Sequence, residues 1–297
     1  GLPVVSLYGE RRVPEREHLR DLDALVFDVQ DVGVRAYTYL STLKACLARC
    51  AEVGVPLVLL DRPNPLGRTA YGAGVAGGFA SFVSSHNVRF VHGMTLGELG
   101  VSVARALGVE EVLEVVPIGG YTGESWAELG LPWRPPSPGL PTLKSAELYP
   151  LTVFLEGTSV SEGRGTAAPF ELIGAPWLDG ARLAEMLNER LEGLHAEPAR
   201  FTPTASKHRD TNVAGVRLVR TGAFDPLRSA LVLLSELRRQ DPERFTWLGP
   251  ERPFIDLLAG SDVLRRAVCG EVSEGEFAAW LAAGEGLESE RVTLYPA

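Results

Sequence analysis

Short apolar runs alternate with longer stretches of helical periodicity through the first half of the chain, and this pattern restricts the fold more than any other feature. The apolar runs predict strands at 3–9, 24–30, 55–65 and 111–120, and the periodic stretches predict helices at 37–54 and 94–108. Strands that alternate with helices form a parallel sheet covered by helices. The pattern therefore predicts an α/β fold.

A proline-rich segment separates this half from the rest of the chain. Residues 131–142 hold five prolines, which excludes a helix or a central strand. Because Trp133 and Leu140 offer apolar anchors, we interpret the segment as an ordered crossover between two domains, at 1–145 and 146–297. The second domain is predicted to contain a strand at 151–155, helices at 178–193 and 223–245, strand and loop character at 201–221, and further helices at 254–285.

The composition argues against several classes of partner. A formal net charge of −9 over 297 residues, with no Lys- or Arg-rich run, argues against nucleic acid. No apolar run approaches the roughly 18 residues of a membrane span, and no signal peptide is visible. The three cysteines form no disulfide framework, and Cys46 and Cys50, four apart on a helical pattern, are interpreted as core residues. The sequence predicts neither a metal nor another cofactor, because no Cys/His ligand spacing occurs.

Acidic and arginine side chains follow three predicted strands where each strand ends. The clusters are Asp28, Gln30, Asp31, Arg35 and Tyr37 after the first strand, Asp61, Arg62 and Asn64 after the second, and Glu156, Ser161, Glu162, Arg164 and Thr166 after the third. Ligands of parallel sheets bind beyond the carboxyl ends of the strands. We therefore expect the ends of 24–30, 55–61 and 151–156 to converge on one cleft.

Each cluster also has a structural interpretation. A single one is more often a solvated loop or a helix cap, and an arginine can simply hold a neighbouring carboxylate. Asp31 could cap the following helix. Asp28 could orient Arg35 or Arg62. His92 precedes a helix, and an isolated histidine is more often structural than catalytic.

Carboxylates close to arginines, together with Tyr, Trp, Asn and Gln, suit a sugar site. Glycoside hydrolysis needs a carboxylic acid and usually a second carboxylate as base or nucleophile. Glu156 and Glu162 are the candidate catalytic pair. Glu156 leaves a predicted buried strand, so it could be the proton donor or a buried anchor for the loop. Glu162 stands beside Arg164 and is expected to stay ionised.

The motifs also resemble those of a known family. The chain contains, in this order, VFDVQDVGVRAYTY, LDRPNP, VHGMT, LPWRPPSPGLPT, LEGTSVSEGRGT and PFELIGAPW. This set resembles the exo-β-N-acetylmuramidases, long catalogued as a bacterial domain of unknown function. The resemblance implies a Rossmann-like domain followed by a smaller α/β domain, with the site in the cleft between them. It also implies release of N-acetylmuramic acid from the non-reducing ends of peptidoglycan fragments.

The resemblance extends to individual residues. The cluster residues other than Glu156, Glu162 and Asp61 are expected to bind this saccharide, together with His92. The lactyl carboxylate of muramic acid gives the arginines a partner. Family members usually begin about two βα units earlier and carry a PEHG-like loop with a candidate catalytic glutamate. This chain has no such motif, so we expect a fragment or a shortened homologue.

The sequence leaves the function open between two classes. The alternative function is a non-catalytic muropeptide-binding protein that keeps the cleft but lacks the acid. The resemblance implies an extracytoplasmic location, periplasmic or secreted. The sequence indicates no oligomeric state.

Overall fold

The computed structural model of the protein describes residues 4–7, 9 and 11–296. The first half contains α1 (Arg16–Leu19), β1 (Leu25–Phe27), α2 (Tyr39–Val53), β2 (Leu57–Leu60), α3 (Leu96–Leu107), β3 (Leu113–Val116) and α4 (Trp126–Leu129). The second half contains α5 (Leu143–Thr152), β4 (Leu172–Ala175), α6 (Gly180–Asn188), β5 (Leu194–Phe201), β6 (Val213–Arg220), α7 (Pro226–Gln240), α8 (Phe254–Ala259), α9 (Val263–Val268) and α10 (Glu274–Ala282). No helix among these described residues is long and apolar enough to span a bilayer.

Two three-stranded sheets organise the molecule. The first is parallel, in the order β1-β2-β3, with Leu25 opposite Leu57 and Leu57 opposite Leu113. The second is antiparallel, in the order β4-β6-β5, and α6 and α7 belong to the same half of the chain. The predicted fold class is confirmed: a Rossmann-like parallel sheet precedes a smaller unit that combines helices with an antiparallel sheet.

Local sequence chemistry explains the two long helices of the first half. Helix α3 begins at a capping box in which Thr95 and Glu98 satisfy each other's backbone N–H groups, as predicted. Helix α2 ends at Gly54, whose φ of 74° suits a left-handed C-cap. Cys46 and Cys50 are buried in the core on α2, as expected. Burial, with a smaller effect of Cys50, raises the pKa of Cys46 to about 12, so this thiol stays protonated and packs as a small apolar group.

Two predicted strands are absent from the part of the chain that the structure describes. Residues 151–155 form the end of α5 and the 3₁₀ turn Val153–Gly157. This apolar run is buried on all sides, so its sequence lacks the alternation of apolar and polar residues that separates a strand from a helix. Helix α5 is capped by Thr142, whose hydroxyl accepts from the N–H of Ser145. For the predicted strand at 3–9, residues 4–7 and 9 lie in no strand, and residues 3 and 8 are outside the described residues.

The proline-rich crossover is ordered, as predicted. The indole N–H of Trp133 donates to the carbonyl of Leu140 at 3.1 Å, and Leu140 is fully buried. The Trp133 ring packs edge-to-face on Trp126, with centroids 5.4 Å apart. The hydroxyl of Tyr39 donates to the carbonyl of Pro136 at 2.8 Å. These contacts hold the segment against the first half of the molecule.

One apolar cluster is shared by the two halves of the chain. Phe90 stacks on Phe154, with ring centroids 4.8 Å apart. Val32 and Val34 belong to the same cluster as the buried faces of β4, β6 and α7. A separate cluster lies between the parallel sheet, α2 and α3. The larger core therefore extends across the proline-rich crossover.

Arg35 is a buried connector and not a surface group. Its guanidinium donates to the carbonyls of Ala73, Val88 and Ala259 at 2.7–2.9 Å, and to the hydroxyl of Ser84 at 3.3 Å. Only 1% of the residue is exposed. This burial contradicts the predicted substrate contact, because the donors of Arg35 are directed at protein oxygens from both halves of the chain.

We predict that Arg35→Met lowers the free energy of unfolding by about 3 kcal/mol, because it leaves buried carbonyls without donors. Urea denaturation measures the loss. The matched control is Arg134→Met at an exposed position, where we expect a change within about 0.5 kcal/mol. A loss as small as that of the control would show that the Arg35 hydrogen bonds do not hold the two halves together.

Candidate active site

Four alternating charges form the centre of the site. The Nη2 atom of Arg164 lies 2.6 Å from Oε1 of Glu156, and its Nε lies 3.4 Å from Oε1 of Glu162. The Nζ atom of Lys207 lies 2.7 Å from Oε2 of Glu162. We call Glu156, Arg164, Glu162 and Lys207 the four-charge cluster. Lys207 was not identified from the sequence, because a lysine in a distant polar loop gives no pattern.

The two glutamates differ in burial, and Glu156, which was expected to leave a buried strand, is the more exposed of the two. The Glu162 side chain is only 2% exposed, whereas that of Glu156 is 23% exposed. Glu162 is therefore the buried anchor, held between two cations. Glu156 is the carboxylate that a ligand can reach. It lies in a 3₁₀ turn and not at the end of a strand.

The neighbouring carboxylates keep the Arg164 guanidinium charged despite its burial. Burial lowers the pKa of Arg164, but Glu156 and then Glu162 outweigh it, so the net shift is upward. One face of the guanidinium lies over the Phe170 ring, with Cζ 5.0 Å from the centroid.

Ser161 and Thr166 shape the turn that carries these charges. The hydroxyl of Ser161 accepts from the N–H of Gly163 at 3.1 Å. The hydroxyl of Thr166 donates to the carbonyl of Gly163 at 2.7 Å and accepts from Ala168. Gly163 itself has a φ of 79°, which favours glycine. Both hydroxyls therefore stabilise the geometry of the turn, and their predicted role in substrate binding stays a prediction.

Asp31 and His92 form a second polar pair. One oxygen of Asp31, Oδ2, accepts from the N–H of Gly33 at 2.7 Å and lies 3.2 Å from Nε2 of His92. The Nδ1 atom of His92 accepts from the N–H of Met94, so the ring proton of a neutral His92 is on Nε2, facing Asp31. Asp31 does not cap α2, because the N-cap of that helix is Thr38.

Gln30 and Asn64 hold the strand-end loops together. The amide of Gln30 donates to the carbonyls of Asp31 and Pro63 at 2.7 and 2.9 Å. The amide of Asn64 donates to the carbonyl of Met94 at 3.0 Å. Both amide nitrogens are thus engaged by the backbone, which places the loops after β1 and β2 beside the segment that carries His92.

The remaining charged side chains of the first two clusters also have partners within the protein. Arg62 lies 2.7 Å from Asp28, so of the two partners considered for Asp28 the structure selects Arg62. Both side chains are about two-fifths exposed. Asp61 accepts from the hydroxyl of Thr95 and the N–H of Gly97 at the start of α3.

Aromatic rings connect the two parts of the site. Tyr37 packs edge-to-face on Tyr149, and Tyr149 packs edge-to-face on Phe170, with centroids 5.9 and 4.9 Å apart. Burial raises the pKa of the Tyr149 hydroxyl well above its ordinary value, with Glu156 adding to the rise and Asp31 making a smaller contribution. Tyr149 therefore lies within electrostatic range of both carboxylates. The structure brings the loop after β1 and the 156–166 turn to one place.

The crossover segment forms a wall of this site. A Cβ atom added to Gly139 would lie 2.5 Å from Nη1 of Arg164. Burial raises the pKa of Tyr37, and the nearby side chain of Ser137 in the crossover partly offsets this rise. The interpretation of 131–142 as a connection missed this role, because the proline pattern indicates order but not what the segment contacts. Among the described residues, no group of three or more His, Cys, Asp or Glu side chains is placed to hold a metal ion.

Comparison with known proteins identifies the family. The N-terminal model of exo-β-N-acetylmuramidase NamZ matches residues 1–144, and the C-terminal model matches residues 147–291. The chain belongs to this family. It is 39% identical over 273 residues to the peptidoglycan β-N-acetylmuramidase NamZ of Bacillus subtilis (strain 168). The match covers 90% of this chain and 66% of the Bacillus protein, so the chain spans slightly less than two thirds of that relative.

Solved structures from Bacteroides fragilis NCTC 9343 share the fold. One DUF1343 family protein superimposes with a TM-score of 0.86 at 29% identity, covering 99% of this chain and 80% of its own. A second gives a TM-score of 0.73 at 28% identity, with coverages of 95% and 78%. The arrangement of the two units therefore resembles that of these two Bacteroides proteins.

We predict that Gly139→Ala displaces the Arg164 guanidinium without unfolding the protein, because the clash is with the end of a flexible side chain and the backbone of Gly139 suits alanine. The NMR signal of the Arg164 Nε–H should shift, while the free energy of unfolding changes by less than about 1 kcal/mol. Gly119→Ala, where a Cβ meets no atom within 4 Å, is the control. An unchanged Arg164 signal would show that the crossover segment does not contact Arg164.

Proposed function

We propose that the protein is an exo-acting β-N-acetylmuramidase that releases N-acetylmuramic acid from the non-reducing ends of peptidoglycan fragments. The observation that carries the proposal is the placement of Glu156. The Bacillus member of the family is named a peptidoglycan β-N-acetylmuramidase. In this chain, Glu156 is a partly exposed carboxylate beside the Arg164 guanidinium and near the aromatic ring of Tyr149.

The chemistry of the proposed reaction matches this arrangement. Hydrolysis passes through a transition state with positive charge on the sugar ring, and a carboxyl group must protonate the leaving oxygen. Glu156 is the carboxylate of the cluster that can touch a saccharide. Glu162, almost fully buried between Arg164 and Lys207, acts by holding Arg164 in place. Arg164 offers a planar cation for the lactyl carboxylate, which distinguishes muramic acid from glucosamine.

A binding protein for muropeptides is the second candidate, and one observation favours it. Within the four-charge cluster each carboxylate already has a cationic partner at 2.6–2.7 Å. A cleft of this kind can bind a saccharide through hydrogen bonds without supplying a proton. The two candidates differ in turnover and not in recognition.

The test is release of the chromophore from a chromogenic β-glycoside of N-acetylmuramic acid, with the corresponding N-acetylglucosamine glycoside as control substrate. We expect turnover of the first and little of the second. Binding of the muramic acid glycoside by calorimetry without turnover would support the binding protein. Neither binding nor turnover would overturn both candidates.

We predict opposite signatures for two glutamine substitutions. Glu156→Gln should lower turnover by at least ~10²-fold with little change in stability, because an amide cannot protonate a leaving group. Glu162→Gln should lower the melting temperature, because it leaves the buried Lys207 ammonium without its anion. The matched control is Glu147→Gln on α5, which removes a carboxylate paired with Arg220 and should preserve turnover. Equal turnover in Glu156→Gln and Glu147→Gln would exclude Glu156 as the acid.

A further inference from the structure

The loop 202–212 joins β5 to β6. It contacts the 155–165 turn through hydrogen bonds at both ends of the turn and near its middle. The N–H and hydroxyl of Thr204 donate to the carbonyl of Gly165 at 2.9 and 2.8 Å. Lys207 Nζ donates to the carbonyls of Leu155 and Thr158 at 2.6 and 3.1 Å. His208 Nε2 lies 2.8 Å from the carbonyl oxygen of Ser159. The turn that carries the glutamates is therefore shaped by a loop from the second sheet.

The backbone of this loop is held in an unfavourable conformation. Ser206, His208 and Asp210 have φ values of 65°, 55° and 57°, in the left-handed region that favours glycine. Phe170, beneath Arg164, is the other non-glycine residue with positive φ in the described part of the chain. Such strain persists only where surrounding contacts over-determine it, and it concentrates at functional sites. Ser206 and His208 flank Lys207 in the chain, and Phe170 lies against the Arg164 guanidinium.

Lys207 stands between two of these strained residues, and its ammonium group has three protein oxygens close by. Nζ donates to the carbonyls of Leu155 and Thr158 at 2.6 and 3.1 Å, and it lies 2.7 Å from Oε2 of Glu162. Burial lowers the pKa of Lys207, while Glu162 and then Glu156 oppose the shift and Arg164 adds to it. The charged groups that face Glu162 are Lys207 and Arg164, and Glu156 lies on the far side of Arg164.

We propose that Lys207 is a positioning residue: it keeps Glu162 ionised in the protein interior, and Glu162 in turn fixes the Arg164 guanidinium that holds Glu156. The chain of contacts runs Lys207, Glu162, Arg164, Glu156, and the last two are the most exposed of the four side chains. The effect on turnover rests on the proposed muramidase function, but the charge pairing itself does not.

The first test is a stability cycle that needs no activity. Lys207→Met should lower the melting temperature at pH 7 by about 6–10 °C, because a buried carboxylate loses its closest cation. Adding Glu162→Gln to Lys207→Met should recover at least half of that loss. Lys144→Met, an exposed lysine outside the cluster, is the control and should change the melting temperature by less than about 2 °C.

The pH dependence separates charge pairing from packing. With Lys207 replaced, a proton on Glu162 relieves the unpaired charge, so the stability deficit of Lys207→Met should shrink as the pH falls from 7 to 4.5. A deficit that is constant over this range, or one that the double variant does not reduce, would overturn the inference. If Lys207→Met alone does not fold at pH 7, the double variant should fold, and its failure to do so would also count against the inference.

The second test is kinetic. In a chain that hydrolyses the muramic acid glycoside, Lys207→Met should lower kcat by at least ~10-fold with a smaller change in KM, and Lys207→Arg should restore part of kcat because it keeps the charge. Full activity of Lys207→Met would overturn its role in the site. Absence of turnover in the unmodified chain would overturn the muramidase proposal, while the stability cycle would still decide the charge pairing.

Discussion

The candidate site depends on a negative charge that is shut away from water. A buried carboxylate is tolerated only when cations and hydrogen-bond donors surround it, and Glu162 has two cations within 3.4 Å. Arg164 comes from the same tight turn, but Lys207 has to be supplied from another part of the fold. The 202–212 loop supplies Lys207, and several hydrogen bonds hold this loop against the turn.

This arrangement assigns different tasks to residues that look alike in the sequence. Glu156 and Glu162 stand in one motif, yet one is open to a ligand and the other is structural. Arg164 and Arg35 both follow an acidic cluster, yet Arg35 is enclosed by backbone carbonyls. Burial, which motif chemistry does not reveal, decides which of these charges can meet a substrate.

The sequence predicts this fold best where local chemistry determines the backbone. The capping box at Thr95 and the glycine at position 54 set the ends of two helices, and both ends are where they were expected. The run 151–155 was wrongly predicted because a segment buried on every side has no period to read. The contact of Lys207 with Glu162 was missed for a related reason: it depends on how β5 and β6 pack, and no local pattern encodes that packing.

The shared apolar core has a consequence for ligand binding. Phe90 and Phe154 stack across the two halves, and Arg35 joins carbonyls from both. An apolar contact and a buried guanidinium therefore join the two units, whereas domain interfaces that permit relative motion are typically more polar. A ligand at the four-charge cluster would meet side chains that were ordered when the chain folded. Its affinity then reflects the fit of a preformed surface, with little conformational entropy lost by the protein on association.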